Sequence, residues 1–183
     1  MSRASEQSAL PLAILGLISI EPSSGYDLRK VFSTTPMGHF SSSPGAIYPA
    51  LQRLEEAGLI KGRVEKKDSL RPRRVYVLTK KGMDELKARL AHPVTEDDVM
   101  WRLEELMLRF AFMGDVLGRN ASVEFLQELL PLVRAHVRKL QKHLKNNRSR
   151  MTINGVYAVE QGIAKYAVTA RWAKRVIKEL QTK

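Results

Sequence analysis

Apolar positions along the chain recur with two different periods, and the change between them divides it. Leu10, Ile14, Leu17 and Ile18 keep helical spacing, and Pro11 stands near the start, where it is tolerated; residues 8–20 therefore read as a deeply buried first helix. Ser24 is placed to cap a second helix over residues 25–32, with Asp27 in the first turn, where a carboxylate suits the helix dipole. Residues 33–42 contain Pro36 and Gly38 and read as irregular. Ser43 then caps a third helix, Pro44 fits its first position, and Gly58 fits the left-handed residue that closes a helix. At about 100° per residue, Ile47, Ala50, Leu51, Leu54 and Gly58 share one face of it, while Gly45, Pro49, Gln52, Arg53 and Glu56 share the other. One face is built to pack, and the other is free to touch something.

The period then shortens to two. Residues 60–67 and 73–79 read as strands joined by a charged turn at 68–72, and Ile60, Val64, Val75 and Val77 are expected on one buried sheet face. Thr79 caps a fourth helix from Lys80 to about Leu90, and the following His92 and Pro93 mark a boundary. The expected domains are thus 1–92 and 93–183. A capped helix followed by a two-stranded ribbon is the plan of a winged helix-turn-helix, in which the helix enters the major groove and the ribbon grips the flanking backbone.

Beyond residue 93 no strand signal remains. Three helical seams follow: Val99, Leu103, Leu106, Phe110 and Met113; then Val123 to Leu144; then Val159, Ile163, Tyr166, Ala170, Ala173, Ile177 and Leu180. Breaks are expected at 114–121 and 146–155, and Pro131 is expected to kink the middle helix or split a piece from it. Three such seams carry more apolar surface than one protomer easily covers. They are expected to form a homodimer, with the last seam as its dimerisation face. The fold class is therefore mainly α with a small β-hairpin wing: a winged helix-turn-helix plus a C-terminal helical dimerisation domain.

Charge sharpens this picture. The formal net charge is +12, and residues 61–81 alone hold nine Lys or Arg against two acids. A polyanionic partner follows, and double-stranded DNA fits a capped helix beside a basic ribbon. Ser42, Ser43, Gly45, Ala46, Tyr48, Pro49 and Gln52 lie at the tip or on the outward face of the third helix, where hydroxyls and free N–H groups reach phosphates and base edges. Pro49 cannot donate to the carbonyl of Gly45 and is expected to loosen that turn. In the ribbon, Lys66, Lys67, Arg71, Arg73 and Arg74 are the candidate phosphate or minor-groove contacts. Their plainer alternative is a solvated basic hairpin. A second acid-free basic stretch, from Arg134 to Arg150, reads as a solvated helix face.

Trp101, Phe110, Tyr157, Tyr166 and Trp172 are candidates for an effector pocket between the helical arm and the DNA-binding unit, since aromatic walls stack on flat ligands; core packing explains most of them equally well. There is no cysteine, so thiolate chemistry, disulfides and iron–sulfur clusters are excluded. The four histidines are scattered without carboxylate companions, and neither a metal site nor a cofactor is expected. No phosphate loop, nucleophile elbow or carboxylate pair appears, which disfavours an enzyme. The apolar run from Leu10 to Ile20 is half a membrane span, so a cytoplasmic protein without a membrane partner is expected.

The segments ALPLAILGLI, SSGYDLRKVF, GAIYPALQRLEEAGLI and RVYVLTKKG, covering most of residues 9–83, resemble the PadR family of bacterial transcriptional regulators. The length of the tail is similar to that of the larger subgroup, whose C-terminal part resembles that of a virulence-gene activator. The resemblance implies a winged-helix domain, a helical dimerisation domain and, usually, repression relieved by a small effector. An RNA-binding or ribosome-associated module that uses the same ribbon, and a winged-helix adaptor for other proteins, are the alternatives.

Overall fold

In a computed structural model of the chain, the residues described are 3–40, 43–65 and 72–182. They fall into two compact units, residues 1–92 and 93–183. No helix among the described residues is long and apolar enough to cross a membrane.

The first unit is built on α1 (Arg3–Ile20), whose Leu12, Ala13, Ile14 and Leu15 are buried. α1 begins five residues earlier than expected, because Ala4, Glu6 and Gln7 offer no break, and Pro11 therefore lies inside it. The two-residue strand β1 (Ser23–Ser24) leads straight into α2 (Gly25–Thr34). Ser24 serves both elements. Its backbone pairs with Val75 of the sheet, and its side chain closes a capping box with Asp27. A short 3-10 turn, Pro36–His39, occupies the stretch expected to be irregular.

α3 (Pro44–Glu56) follows its Ser43 cap, and Gly58 takes the left-handed conformation at φ +70°. Ile47, Ala50, Leu51 and Leu54 are buried, and Gly45, Pro49, Gln52, Arg53 and Glu56 are exposed, so the two-faced reading of this helix holds. Gly58, grouped with the buried face by its spacing, is exposed because it lies beyond the helix end. β2 (Ile60–Glu65) and β3 (Arg73–Leu78) form an antiparallel hairpin, and the sheet order is β1-β3-β2. α4 (Lys80–Leu90), capped by Thr79, closes the unit and buries Leu86 and Leu90.

The register corrects one expectation. Ile60, Gly62 and Val64 pair with Leu78, Tyr76 and Arg74, while Val75 and Val77 pair with Arg63 and Lys61. Residues opposite each other share a face, so Val64 and Val75 lie on opposite faces of the ribbon. Val75 is buried, and Val64 is 68% exposed.

The second unit is all helical: α5 (Glu96–Trp101), α6 (Leu103–Leu117), α7 (Arg119–Asn147) and α8 (Ile153–Thr182), with a 3-10 turn at Arg148–Arg150. The first expected seam is broken at Arg102, whose backbone leaves the helical region at φ −134°, ψ 30°. α7 runs unbroken through Pro131, against the expected split. Pro131 and Gln127 are both exposed, so the carbonyl that loses its partner faces water. Leu126, Leu129 and Val133 of α7 are buried, and Ala170 and Ala173 of α8 are closed off within the unit. Ile153, Tyr157 and Val168 of α8 lie exposed.

Candidate nucleic-acid interface

The tip of α3 is shaped by its cap. Ser43 Oγ accepts from the Gly45 N–H at 3.2 Å, and the Ser43 carbonyl accepts from Ala46 at 3.0 Å and Ile47 at 3.2 Å. Gly45 is exposed and Ala46 half-buried. Pro49 leaves the Gly45 carbonyl without its usual helical donor, and both residues face outward. Tyr48 is 51% exposed, yet one edge of its ring lies against Gly25 of α2, where a Cβ would come within 2.6 Å of Cε1. The bare backbone of Gly25 thus seats an aromatic that still shows half its surface to solvent. Gln52 is less free, since its amide donates to Glu56 Oε1 at 2.8 Å.

The ribbon is joined to both α2 and α3. Arg73 stands 3.7 Å from Asp27 of α2, and Arg74 Nη2 donates to Glu55 Oε1 of α3 at 2.7 Å. The same Glu55 oxygen accepts the Gly62 N–H at 2.9 Å. The Arg74 guanidinium lies 5.8 Å from the centroid of the Tyr76 ring. The Gly62 hydrogen bond, and after it Arg74, hold the Glu55 carboxyl below the usual carboxylate range. Burial alone would raise Asp27, but hydrogen bonds from the Ser24 hydroxyl and backbone, with Arg73 and Lys30 nearby, leave it lowered. Lys81, the last cation of the basic run, donates to the Ala57 carbonyl at 2.8 Å and so closes the C-terminal end of α3.

Of the residues expected to touch nucleic acid, Ser43, Gly45, Ala46, Tyr48, Pro49 and Gln52 come together on α3, and Arg73 and Arg74 on the adjoining strand. Ser42, Lys66, Lys67 and Arg71 lie outside the described residues. Glu55, Gly62 and Asp27 complete the arrangement and were not foreseen as part of it. One signal was available: a carboxylate on a helix that turns toward a polyanion needs a cation of its own.

The residues considered for an effector pocket are dispersed in the second unit. Phe110 meets Trp172 edge to face at 5.2 Å and stacks on Phe125 at 6.2 Å, inside the packing of α6, α7 and α8. Tyr166 lies against His136 at 4.4 Å and donates to the Met100 carbonyl at 3.3 Å. Trp101 and Tyr157 are exposed. A cleft beside His136, lined also by Met100, Leu132 and Ala135 and rimmed by the Lys139–Glu96 ion pair, has about 10 Å³ of space, enough for one water. Of the expected dimerisation residues, Val159, Ile163, Tyr166, Ile177 and Leu180 are half-buried against the rest of the unit, while Ala170 and Ala173 are buried.

Residues 14–88 match the family described as "Transcriptional regulator PadR-like family". Transcriptional regulator YqjI of Escherichia coli is 43% identical over 56 residues, which is 31% of this chain and 27% of that protein. Negative transcriptional regulator PadR of Bacillus subtilis is 31% identical over 121 residues, 66% of this chain and 65% of that one. The matches thus span about a quarter of the first relative and just under two thirds of the second. A crystal structure of Bacillus subtilis PadR in complex with operator DNA is 26% identical, with a TM-score of 0.43 over 93% of this chain and 98% of that chain. The winged helix described above, from α1 through α4, belongs to the PadR-like family of transcriptional regulators.

Proposed function

We propose that the chain is a repressor that binds an inverted-repeat operator as a homodimer and is released by a small aromatic effector. The carrying observation is the tip of α3, where exposed Tyr48, Gly45 and Pro49 stand beside a strand bearing Arg73 and Arg74. Such a tip reads base edges in a major groove, and Arg73, the more loosely held of the strand cations, meets phosphate alongside. The sign of regulation follows the relative named a negative regulator.

Dimerisation is supported by α8, where Ile153, Tyr157 and Val168 are each more than half exposed. Together with Ala164 they share one stripe of the helix, and a second copy of the same stripe covers it. Two recognition helices then dock together only if their separation fits about one turn of duplex, ~34 Å. An aromatic effector that stacks on the exposed Trp101 or Tyr157 faces and shifts that separation releases the operator.

The test is selection of bound fragments from the parent genome, followed by titration of the best fragment and a random duplex at several salt concentrations. The expected result is a strong preference for the selected duplex, an inverted repeat within it, and affinity that falls steeply with salt. Tyr48→Ala removes most of the preference. Equal binding to every duplex, or tighter binding to RNA, overturns the reading.

A further inference from the structure

We infer that Glu55 is a positioning residue for DNA reading: through Gly62 and Arg74 it fixes the angle between the recognition helix α3 and the wing. This rests on the duplex-binding reading above and names the part that sets its geometry.

A carboxylate on a DNA-facing unit is at first sight a defect, since it repels phosphate. Glu55 Oε1, however, gathers two donors from two different strands, the Gly62 N–H at 2.9 Å and Arg74 Nη2 at 2.7 Å. β2 is an edge of the sheet, and the Gly62 N–H points off that edge, where no strand would satisfy it. Arg74 belongs to β3 and pairs in register with Val64, so to reach Glu55 its side chain must cross β2 diagonally at Gly62. Only a bare backbone permits the crossing. A Cβ on Gly62 would fall inside the Arg74 Nε and lie 3.0 Å from Glu55 Oε1. The Tyr76 ring beneath the guanidinium completes the seat. One oxygen on the last turn of α3 thereby joins the helix to both strands of the wing.

Electrostatics and positioning predict different outcomes for the selected-to-random ratio. If Glu55 acts only as a negative charge, Glu55→Gln strengthens binding to every duplex alike. If Glu55 positions the wing, the same change lowers the preference for the selected duplex while binding to a random duplex is unchanged or stronger. The experiment measures both affinities, by fluorescence anisotropy on the full chain, for wild type, Glu55→Gln, Gly62→Ala and the double variant. Gly62→Ala leaves the charge untouched and displaces Arg74 sterically. The expected result is a fall of roughly tenfold in the selected-to-random ratio for each single variant, the scale of one badly read base pair, and no further fall in the double variant.

Titrations are run well below each variant's unfolding transition, and if one single variant does not fold, the other decides by the same ratio. An unchanged ratio in a folded variant overturns the positioning role. A wild-type protein with no preference among duplexes overturns the function reading itself, and the role of Glu55 in it; the two failures are told apart by the wild-type titration alone.

Discussion

Arg73 and Arg74 are neighbours on β3, yet they meet carboxylates from two different helices: Asp27 of α2 at 3.7 Å and Glu55 of α3 at 2.7 Å. Alternation along a strand sends the two side chains to opposite faces. α2 and α3 are therefore each tied to the wing by a different arginine. The two ties differ in closeness, and the two arginines should differ in what they do.

Arg73, more loosely held, is available to a phosphate. Arg73→Ala is expected to weaken selected and random duplexes alike and to lower the salt slope by about one. Arg74→Ala, which releases α3 from the ribbon, is expected to lower the preference instead. Anisotropy titrations at three salt concentrations separate the two outcomes.

Gly82 of α4 lies directly on the backbone of Leu59. A Cβ there would overlap the Leu59 carbonyl oxygen and stand 2.8 Å from its carbon, with no flexible side chain to yield. The approach is fixed because the Thr79 N–H donates to the same carbonyl at 3.0 Å, while its hydroxyl donates to the neighbouring Gly58 carbonyl at 2.7 Å. Gly82→Ala is expected to destabilise the first unit by about 3 kcal/mol, read from the urea midpoint.

In the second unit, Asp98 closes a capping box with Thr95 and pairs with Arg102 at 2.5 Å. Burial would raise its carboxyl, but the Thr95 hydroxyl and N–H, together with Arg102, outweigh it and hold it below the ordinary carboxylate range. A group lowered in the folded state stabilises at neutral pH and loses that contribution as pH falls through its folded value. Asp98→Asn is therefore expected to lower the thermal midpoint most near neutrality, and the gap to wild type should close below about pH 4. Thr95→Ala is expected to cost about 1 kcal/mol as a lost cap.

Val168→Asp places a charge in the exposed apolar stripe of α8, where Val168 is 54% exposed. Sedimentation is expected to move from dimer to monomer with unchanged helicity, and binding to the selected duplex should fall with it. A dimer that survives the change would place the self-contact elsewhere.

Much of the fold was legible because its ends are chemically marked. Ser24 with Asp27, Ser43 with Pro44 and Thr79 each sit at the start of a helix, and the observed starts agree with them. The sheet face assignment failed because alternation says which residues share a face along one strand, never how two strands align. The pairing of Val64 with Arg74 depends on register. The break at Arg102 carries neither glycine nor proline, and nothing local announces it. Pro131 did carry a signal, but it lies with Gln127 on the exposed side of α7, where losing one helical hydrogen bond is tolerable. At the candidate interface, the polar tip of α3 followed from helical periodicity. Glu55 escaped notice because its partners stand 7 and 19 residues away.

The double membership of Ser24 bears on how the first unit opens. Its main chain is part of the sheet through Val75, and its hydroxyl is what terminates α2 through Asp27, which also faces Arg73. Fraying the root of the wing thus uncaps the helix, and unwinding the first turn of the helix releases the strand. Amide exchange at Asp27 and at Tyr76, whose N–H faces β1 opposite Ser23, should accordingly proceed through one shared opening, at one rate and with one dependence on denaturant, so that these parts behave as a single cooperative body.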